Sequence, residues 1–118
     1  MPSKTIVVDF NKTLELDGNP NTVLVKRLQE ESDRQKSLGT RLSILILTGE
    51  KPEIVHEFLH KNKIMNVFLS VLTKPHMVKC DLYIDDNEEL LAAVKGRYAT
   101  EALNVAAISL NSPEHLLP

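Results

Sequence analysis

The stretch Ile6-Val7-Val8-Asp9-Phe10-Asn11-Lys12-Thr13 decides the fold. Its apolar, β-branched start is typical of a buried strand, and the polar residues that follow place Asp9 at the carboxyl end of that strand. In open parallel sheets, ligands bind beyond the carboxyl ends of the strands. Asp9 is therefore the first candidate site residue.

The composition indicates one globular domain. The 118 residues suffice for one hydrophobic core, so we expect a single domain over residues 1–118. The formal charge of -2 gives no support to non-specific binding to nucleic acid or to a membrane surface. No apolar run before Asp9 is long enough for a signal peptide or a membrane span. A single cysteine, Cys80, excludes an internal disulfide, and we expect a reducing, cytoplasmic location.

Strand and helix patterns alternate along the chain. After the first strand, apolar runs predict four more strands, at residues 42–47, 67–72, 82–84 and 105–110. Turn and capping residues predict a hairpin over residues 14–20 and helices over residues 22–38, 52–61 and from residue 88 onward. The first helix carries Leu24, Leu28 and Glu31 at helical spacing. The chain is thus predicted to be an α/β, three-layer, Rossmann-like sandwich with a mostly parallel five-stranded sheet in the spatial order 3-2-1-4-5.

Polar side chains follow four of the predicted strands. In chain order they are Asp9 with Asn11 and Thr13, then Thr48, then Lys74, then Asp85 with Asp86. Each residue alone is explained by a cap, a turn or a solvated charge. Together, in this order on alternating strands and helices, they favour a functional site.

The chemistry of these residues is mutually consistent. Three carboxylates at one sheet edge repel one another, and a hard divalent cation such as Mg²⁺ removes that repulsion. An aspartate can also attack phosphorus and form an aspartyl-phosphate. Lys74 would then balance the negative charge, and Thr48 would donate a hydrogen bond to a phosphoryl oxygen.

These motifs resemble those of the haloacid dehalogenase-like superfamily over essentially the whole ordered chain. The matching segments are Asp9-Phe10-Asn11-Lys12-Thr13, Leu45-Ile46-Leu47-Thr48, Lys74-Pro75 and Asp81-Leu82-Tyr83-Ile84-Asp85-Asp86. The last segment is the most specific of the four. The resemblance implies a Mg²⁺-dependent phosphomonoester hydrolase that acts through an aspartyl-phosphate.

The resemblance also implies a role for each matched residue. Asp9 is the nucleophile, and the phosphate is held by Thr48 and Lys74, with Thr13 and Gly49 as further substrate contacts. The implied Mg²⁺ ligands are Asp9, the backbone carbonyl of Asn11, Asp85 and, through water, Asp86.

The chain departs from the family pattern at two points. Lys74 and Asp85 are only eleven positions apart, too few for the usual intervening helix, so Lys79 is an alternative for the lysine role. We favour Lys74 because it follows a predicted strand. The second departure is Asn11, which stands where the family has the aspartate that protonates the leaving alcohol and then activates water.

Asn11 limits the expected activity, because a neutral amide neither gives nor takes a proton in the useful pH range. Three interpretations stay open: an engineered aspartate-to-asparagine change, a natural member with low or altered activity, and a catalytically silent module that binds phosphate ligands. Metal binding is expected to survive in all three, because the family uses the backbone carbonyl at this position.

No cap domain is predicted, because residues 14–20 provide only a flap. An open site suits a phosphate on a macromolecule or a nucleic-acid end, or a small substrate covered by a neighbouring subunit of a homo-oligomer. A phospho-acceptor receiver domain uses similar residues, but there the acidic pair follows the first strand and the acceptor follows the third. Here the order is reversed, with Asp9 alone on the first strand and Asp85 and Asp86 after the fourth.

Overall fold

A five-stranded parallel sheet forms the centre of the molecule. The computed structural model describes residues 2–74, 76–111 and 114–118. In the sheet, β1 (Ser3–Asp9) lies between β4 (Arg41–Thr48) and β6 (Cys80–Asp85), with β5 (Ser70–Thr73) and β7 (Ala99–Asn104) at the edges. All neighbouring pairs are parallel, so the carboxyl ends of the five strands meet at one edge of the sheet.

The predicted α/β, Rossmann-like class is confirmed. The hairpin after β1 is also present, as the antiparallel pair β2 (Glu15–Leu16) and β3 (Asn19–Pro20). Once these two hairpin strands are left out of the count, the sheet strands follow the spatial order 3-2-1-4-5.

Three α-helices begin at the predicted residues. Helix α1 (Thr22–Ser37) follows Asn21, whose side-chain oxygen accepts a hydrogen bond from the backbone N of Leu24 at 3.1 Å. Helix α2 (Pro52–Lys61) starts with proline, which has no N–H to satisfy there. Helix α3 (Glu88–Val94) is capped by Asn87. These starts depend on local side-chain chemistry, which is why the sequence alone locates them.

The two faces of the sheet are covered unequally. On one face, Ile6, Val8 and Ile46 pack with side chains of α1 and α2. On the other face, Val7 and Tyr83 pack with side chains of α3. Residues 76–79, which precede β6, form no helix. Among the described residues, the second face therefore has one helix where the first has two.

Two strands differ from their predicted positions. The third sheet strand is Ser70–Thr73, because Met65–Val67 forms a 3-10 helix where the apolar run predicted the strand to begin. The fifth is Ala99–Asn104, so the prediction of a strand at residues 105–110 is wrong. The side chain of Asn104 accepts a hydrogen bond from the backbone N of Ala106 at 2.9 Å, and the chain turns into a second 3-10 helix, Val105–Ala107.

Candidate functional site

The carboxyl edge of the sheet brings most of the predicted site residues together. Asp9 ends β1, Thr48 ends β4 and Asp85 ends β6, while Lys74 directly follows β5. Since the strands are parallel and adjacent, these ends share one side of the molecule.

Asp9 lies at the centre of this edge and is 5% exposed. Lys74 places its Nζ 3.2 Å from Oδ1 of Asp9. The hydroxyl of Thr13 donates to Oδ2 of Asp9 at 3.3 Å. Burial, together with the nearby Asp85 carboxylate, raises the pKa of Asp9 to about 6, although Lys74 acts in the opposite direction. The raised pKa therefore reflects first the burial of Asp9 and second the negative charge of Asp85.

Three carboxylates form an acidic cluster, which we define as Asp9, Asp85 and Asp86. One oxygen from each lies within 4.8 Å of the others. Burial and a hydrogen bond involving Asp85 also raise the pKa of Asp86. The donors are all oxygens, and Mg²⁺ bonds oxygen at about 2.1 Å, which places opposite ligands about 4.2 Å apart. The cluster therefore fits a hard divalent cation of this kind.

Asp85 is held firmly within the cluster and is 1% exposed. Its Oδ1 accepts hydrogen bonds from the backbone N of Asp86 at 2.6 Å and of Asn87 at 3.2 Å. Its Oδ2 accepts a hydrogen bond from the hydroxyl of Tyr83. These donors fix the carboxylate orientation before any ligand arrives, as the partners of a metal ligand commonly do.

The loop after β1 turns tightly over the cluster. The carbonyl oxygen of Phe10 accepts hydrogen bonds from the backbone N atoms of Thr13, Leu14 and Glu15, at 3.3, 3.0 and 2.9 Å. Lys12 has a φ of 62°, a left-handed conformation that costs free energy for a residue other than glycine. This turn places the Thr13 hydroxyl 3.3 Å from Asp9 and 3.5 Å from Asp86.

Asn11 lies on the exposed side of that loop, paired with Glu15 in an isolated β-bridge. Its implied role as a ligand through the backbone carbonyl stays a prediction. Because Asn11 is exposed, its side chain can be exchanged for aspartate at little cost to the core.

Thr48 is fully buried and connects the ends of two strands. Its hydroxyl oxygen accepts a hydrogen bond from the backbone N of Glu50 at 2.9 Å, and its carbonyl accepts one from the backbone N of Lys74 at 2.8 Å. The Thr48 hydroxyl keeps a proton that it can donate to a phosphoryl oxygen. Gly49 follows on the exposed side.

The two candidate lysines are separated by the fold. Lys74 pairs with Asp9, whereas Lys79 borders a different surface depression together with Gly96 and Thr100. Pro75, the second residue of the matched Lys74-Pro75 motif, lies outside the described residues. The geometry therefore favours Lys74 for the lysine role.

Two residues near the cluster were not predicted to contribute. Tyr83 lies inside the fourth predicted strand, and its hydroxyl orients Asp85. The available sequence signal is that Tyr83 comes two residues before Asp85, so both side chains lie on the same face of the strand. Asn104 pairs in register with Asp85, and its amide donates to the carbonyl oxygen of Asp86 at 3.5 Å and to Oε1 of Glu88 at 2.7 Å. Asn104 was missed because β7 was predicted at the wrong residues.

No family model, curated protein or solved structure matches this chain. Within the part of the chain that the structure describes, no helix combines the length and apolar character needed to cross a membrane.

Proposed function

We propose that this chain is a Mg²⁺-dependent phosphomonoester hydrolase of the haloacid dehalogenase-like kind, slowed by Asn11. The observation that carries the proposal is the contact geometry of Asp9, a buried carboxylate. Its Oδ1 lies 3.2 Å from Nζ of Lys74, and one oxygen of Asp9 lies within 4.8 Å of an oxygen from each of Asp85 and Asp86. A nucleophile, an anion-binding cation and an oxygen-rich metal site thus meet at one point.

Each residue has a distinct task in this proposal. Oδ1 or Oδ2 of Asp9 attacks phosphorus while the ester P–O bond breaks, which gives an aspartyl-phosphate and an alcohol. Lys74 and the hydroxyl of Thr48 stabilise the phosphoryl oxygens. Asp9, Asp85 and Asp86 would hold Mg²⁺, which supplies Lewis-acid stabilisation of the phosphoryl charge.

Asn11 determines the expected rate. The leaving alkoxide needs a proton, and the later attack on the aspartyl-phosphate needs an activated water. An amide supplies neither, so both protons must be exchanged directly with solvent. General acid-base catalysis is typically worth about 10²- to 10⁴-fold, and the chain is expected to be slower by a factor of this size.

The alternative is a catalytically silent module that keeps the fold, the metal site and the capacity to bind phosphate. Asn11 favours this alternative, because its amide removes proton transfer but leaves the groups that would bind phosphate unaffected. In both cases the ligand is a phosphate ester approached from an open edge. The β2–β3 hairpin follows the loop that carries Thr13.

Metal binding tests the part of the proposal that both candidates share. We expect Mg²⁺ or Mn²⁺ to bind at one saturable site in isothermal titration calorimetry. Asp85→Asn should weaken this binding at least about tenfold, because it removes one ligand charge. Asp33→Asn, an exposed change on α1, is the matched control and should leave the affinity unchanged. Equal weakening by both variants, or no saturable binding, would contradict the metal site.

A further inference from the structure

A groove of about 310 Å³ lies on the less covered face of the sheet. Parallel sheets are normally covered by helices on both faces. Residues 76–79, which lead into β6, form no helix, so this part of the second face is left uncovered by them. Leu47 and Tyr83 line the groove from the strands, Leu90 lines it from α3, and Met77 lines it from the loop before β6. Most of the lining is apolar.

The groove begins at the acidic cluster. Lys74, which lines one end of the groove, lies 3.2 Å from Asp9. Tyr83 is a buried lining residue at the base of the groove, and its hydroxyl donates a hydrogen bond to Oδ2 of Asp85. A phosphoryl group bound beside Asp9 and Lys74 would therefore leave the rest of its ester at the mouth of the groove.

The other end of the groove is formed by Arg97 and Tyr98, which precede β7. The guanidinium carbon of Arg97 lies 5.5 Å from the centroid of the Tyr98 ring. Lys74 and Arg97 are the charged side chains among the described lining residues, and both are cations. Such a lining favours an aromatic, negatively charged ligand, because cations and ring edges interact well with π-faces.

We propose that this groove binds the aromatic ring of the substrate, so that the substrate class is a phosphate monoester of an aromatic alcohol. The proposal rests on the proposed function, because it takes the edge at Asp9 as the phosphate site. A cavity of about 150 Å³ accommodates benzene, so a groove of about 310 Å³ has room for one ring or two fused rings.

Binding of three probes to the Mg²⁺-loaded chain tests the proposal without requiring turnover. The probes are phenyl phosphate, glycerol phosphate and inorganic phosphate, each followed by calorimetry. We expect phenyl phosphate to bind about tenfold more tightly than glycerol phosphate, because only the former buries an apolar ring. Lys74→Met should weaken the binding of both esters, since the phosphate contacts this lysine in each case.

Neighbouring alanines on α3 provide a matched pair of variants. Ala93 lines the groove and Ala92 does not, although both are exposed. Ala93→Phe should fill the groove and remove the tenfold advantage of phenyl phosphate while glycerol phosphate still binds. Ala92→Phe should leave the advantage intact. If Ala93→Phe does not fold, the methyl resonance of Met77 in the unaltered chain should shift with phenyl phosphate and not with glycerol phosphate.

The outcomes separate the groove from the phosphate site. Equal affinity for phenyl and glycerol phosphates, unchanged by Ala93→Phe, would overturn the groove proposal and leave the phosphate site intact. Phenyl phosphate binding that Lys74→Met does not weaken would contradict both proposals. A dimer that Ala93→Phe dissociates would show that a second copy fills the groove, which would also overturn the proposal.

Discussion

Replacing Asn11 by aspartate is expected to raise the rate of phosphate release from an aryl phosphate by about 10²- to 10⁴-fold in the presence of Mg²⁺. The aspartate would protonate the leaving alcohol and then, as a carboxylate, activate water against the aspartyl-phosphate. Asn11 lies on the exposed side of the loop after β1, so the exchange should not disturb packing. The rate is measured by release of inorganic phosphate at saturating metal.

An exposed asparagine far from the cluster provides the control for this change. Asn66→Asp adds the same charge on the 3-10 helix before β5 and should leave the rate unchanged. If Asn11→Asp is as inert as Asn66→Asp over a broad panel of phosphate esters, the hydrolase proposal is wrong and the binding module is favoured.

The largest expected effect on stability comes from Glu31, a carboxylate that is 3% exposed on α1. Its Oε2 accepts hydrogen bonds from Nη2 of Arg34 at 2.7 Å and from Nε2 of Gln35 at 2.8 Å. Its Oε1 accepts hydrogen bonds from the backbone N of Leu116 at 3.0 Å and of Leu117 at 3.4 Å. Arg34 also donates to the carbonyl oxygen of Leu117 at 2.7 Å. Glu31 therefore fixes residues 116–117 against α1.

Glu31→Ala is expected to lower the free energy of unfolding by about 3 kcal/mol, measured by urea denaturation at neutral pH. The loss arises because Gln35, which is 1% exposed, and the two backbone N–H groups are left without their acceptor. Glu30→Ala, a change at the exposed neighbouring position, is the control and should cost less than about 0.5 kcal/mol. Similar losses in the two variants would contradict this assignment.

The contribution of Glu31 should also depend on pH. Desolvation by burial raises its pKa, but the hydrogen bonds from Gln35 and Arg34 outweigh that effect, and the net pKa lies below 4.5. A carboxyl group whose pKa is lowered by folding contributes its full stabilisation at pH values above its unfolded-state pKa. That stabilisation is lost as the pH falls through the folded-state pKa. The difference in stability between the unaltered chain and Glu31→Gln should therefore shrink below about pH 4.5.

Much of the fold is predictable from local sequence. Strands β1 and β4 are continuous apolar runs, as expected for strands buried on both faces. Asn21, Pro52 and Asn87 identify helix starts because a cap or a first-turn proline depends only on nearby backbone atoms. Strand β7 was misplaced because it is an edge strand with exposed Thr100 and Glu101, and the more apolar run after it forms a 3-10 helix.

The candidate site is predictable in its members but not in its contacts. Asp9, Lys74 and Asp85 were found from their positions at strand ends, which the parallel sheet then brings together. The choice between Lys74 and Lys79 depends on the path of the loop before β6, which no local pattern specifies. The role of Glu31 was hidden for a similar reason, since its partners Leu116 and Leu117 are 85 and 86 positions away in the chain.

The most direct test of Asp9 as a nucleophile is the location of a covalent phosphoryl group. The chain is incubated with Mg²⁺ and acetyl phosphate or a reactive aryl phosphate, and the modified peptide is identified by mass spectrometry. Since Asn11 cannot activate water, we predict that the phosphoryl group accumulates on Asp9 and is lost faster in Asn11→Asp. A phosphoryl group on Asp85 or Asp86 would contradict the assignment of Asp9. So would the absence of any phosphoryl group from both the unaltered chain and Asn11→Asp.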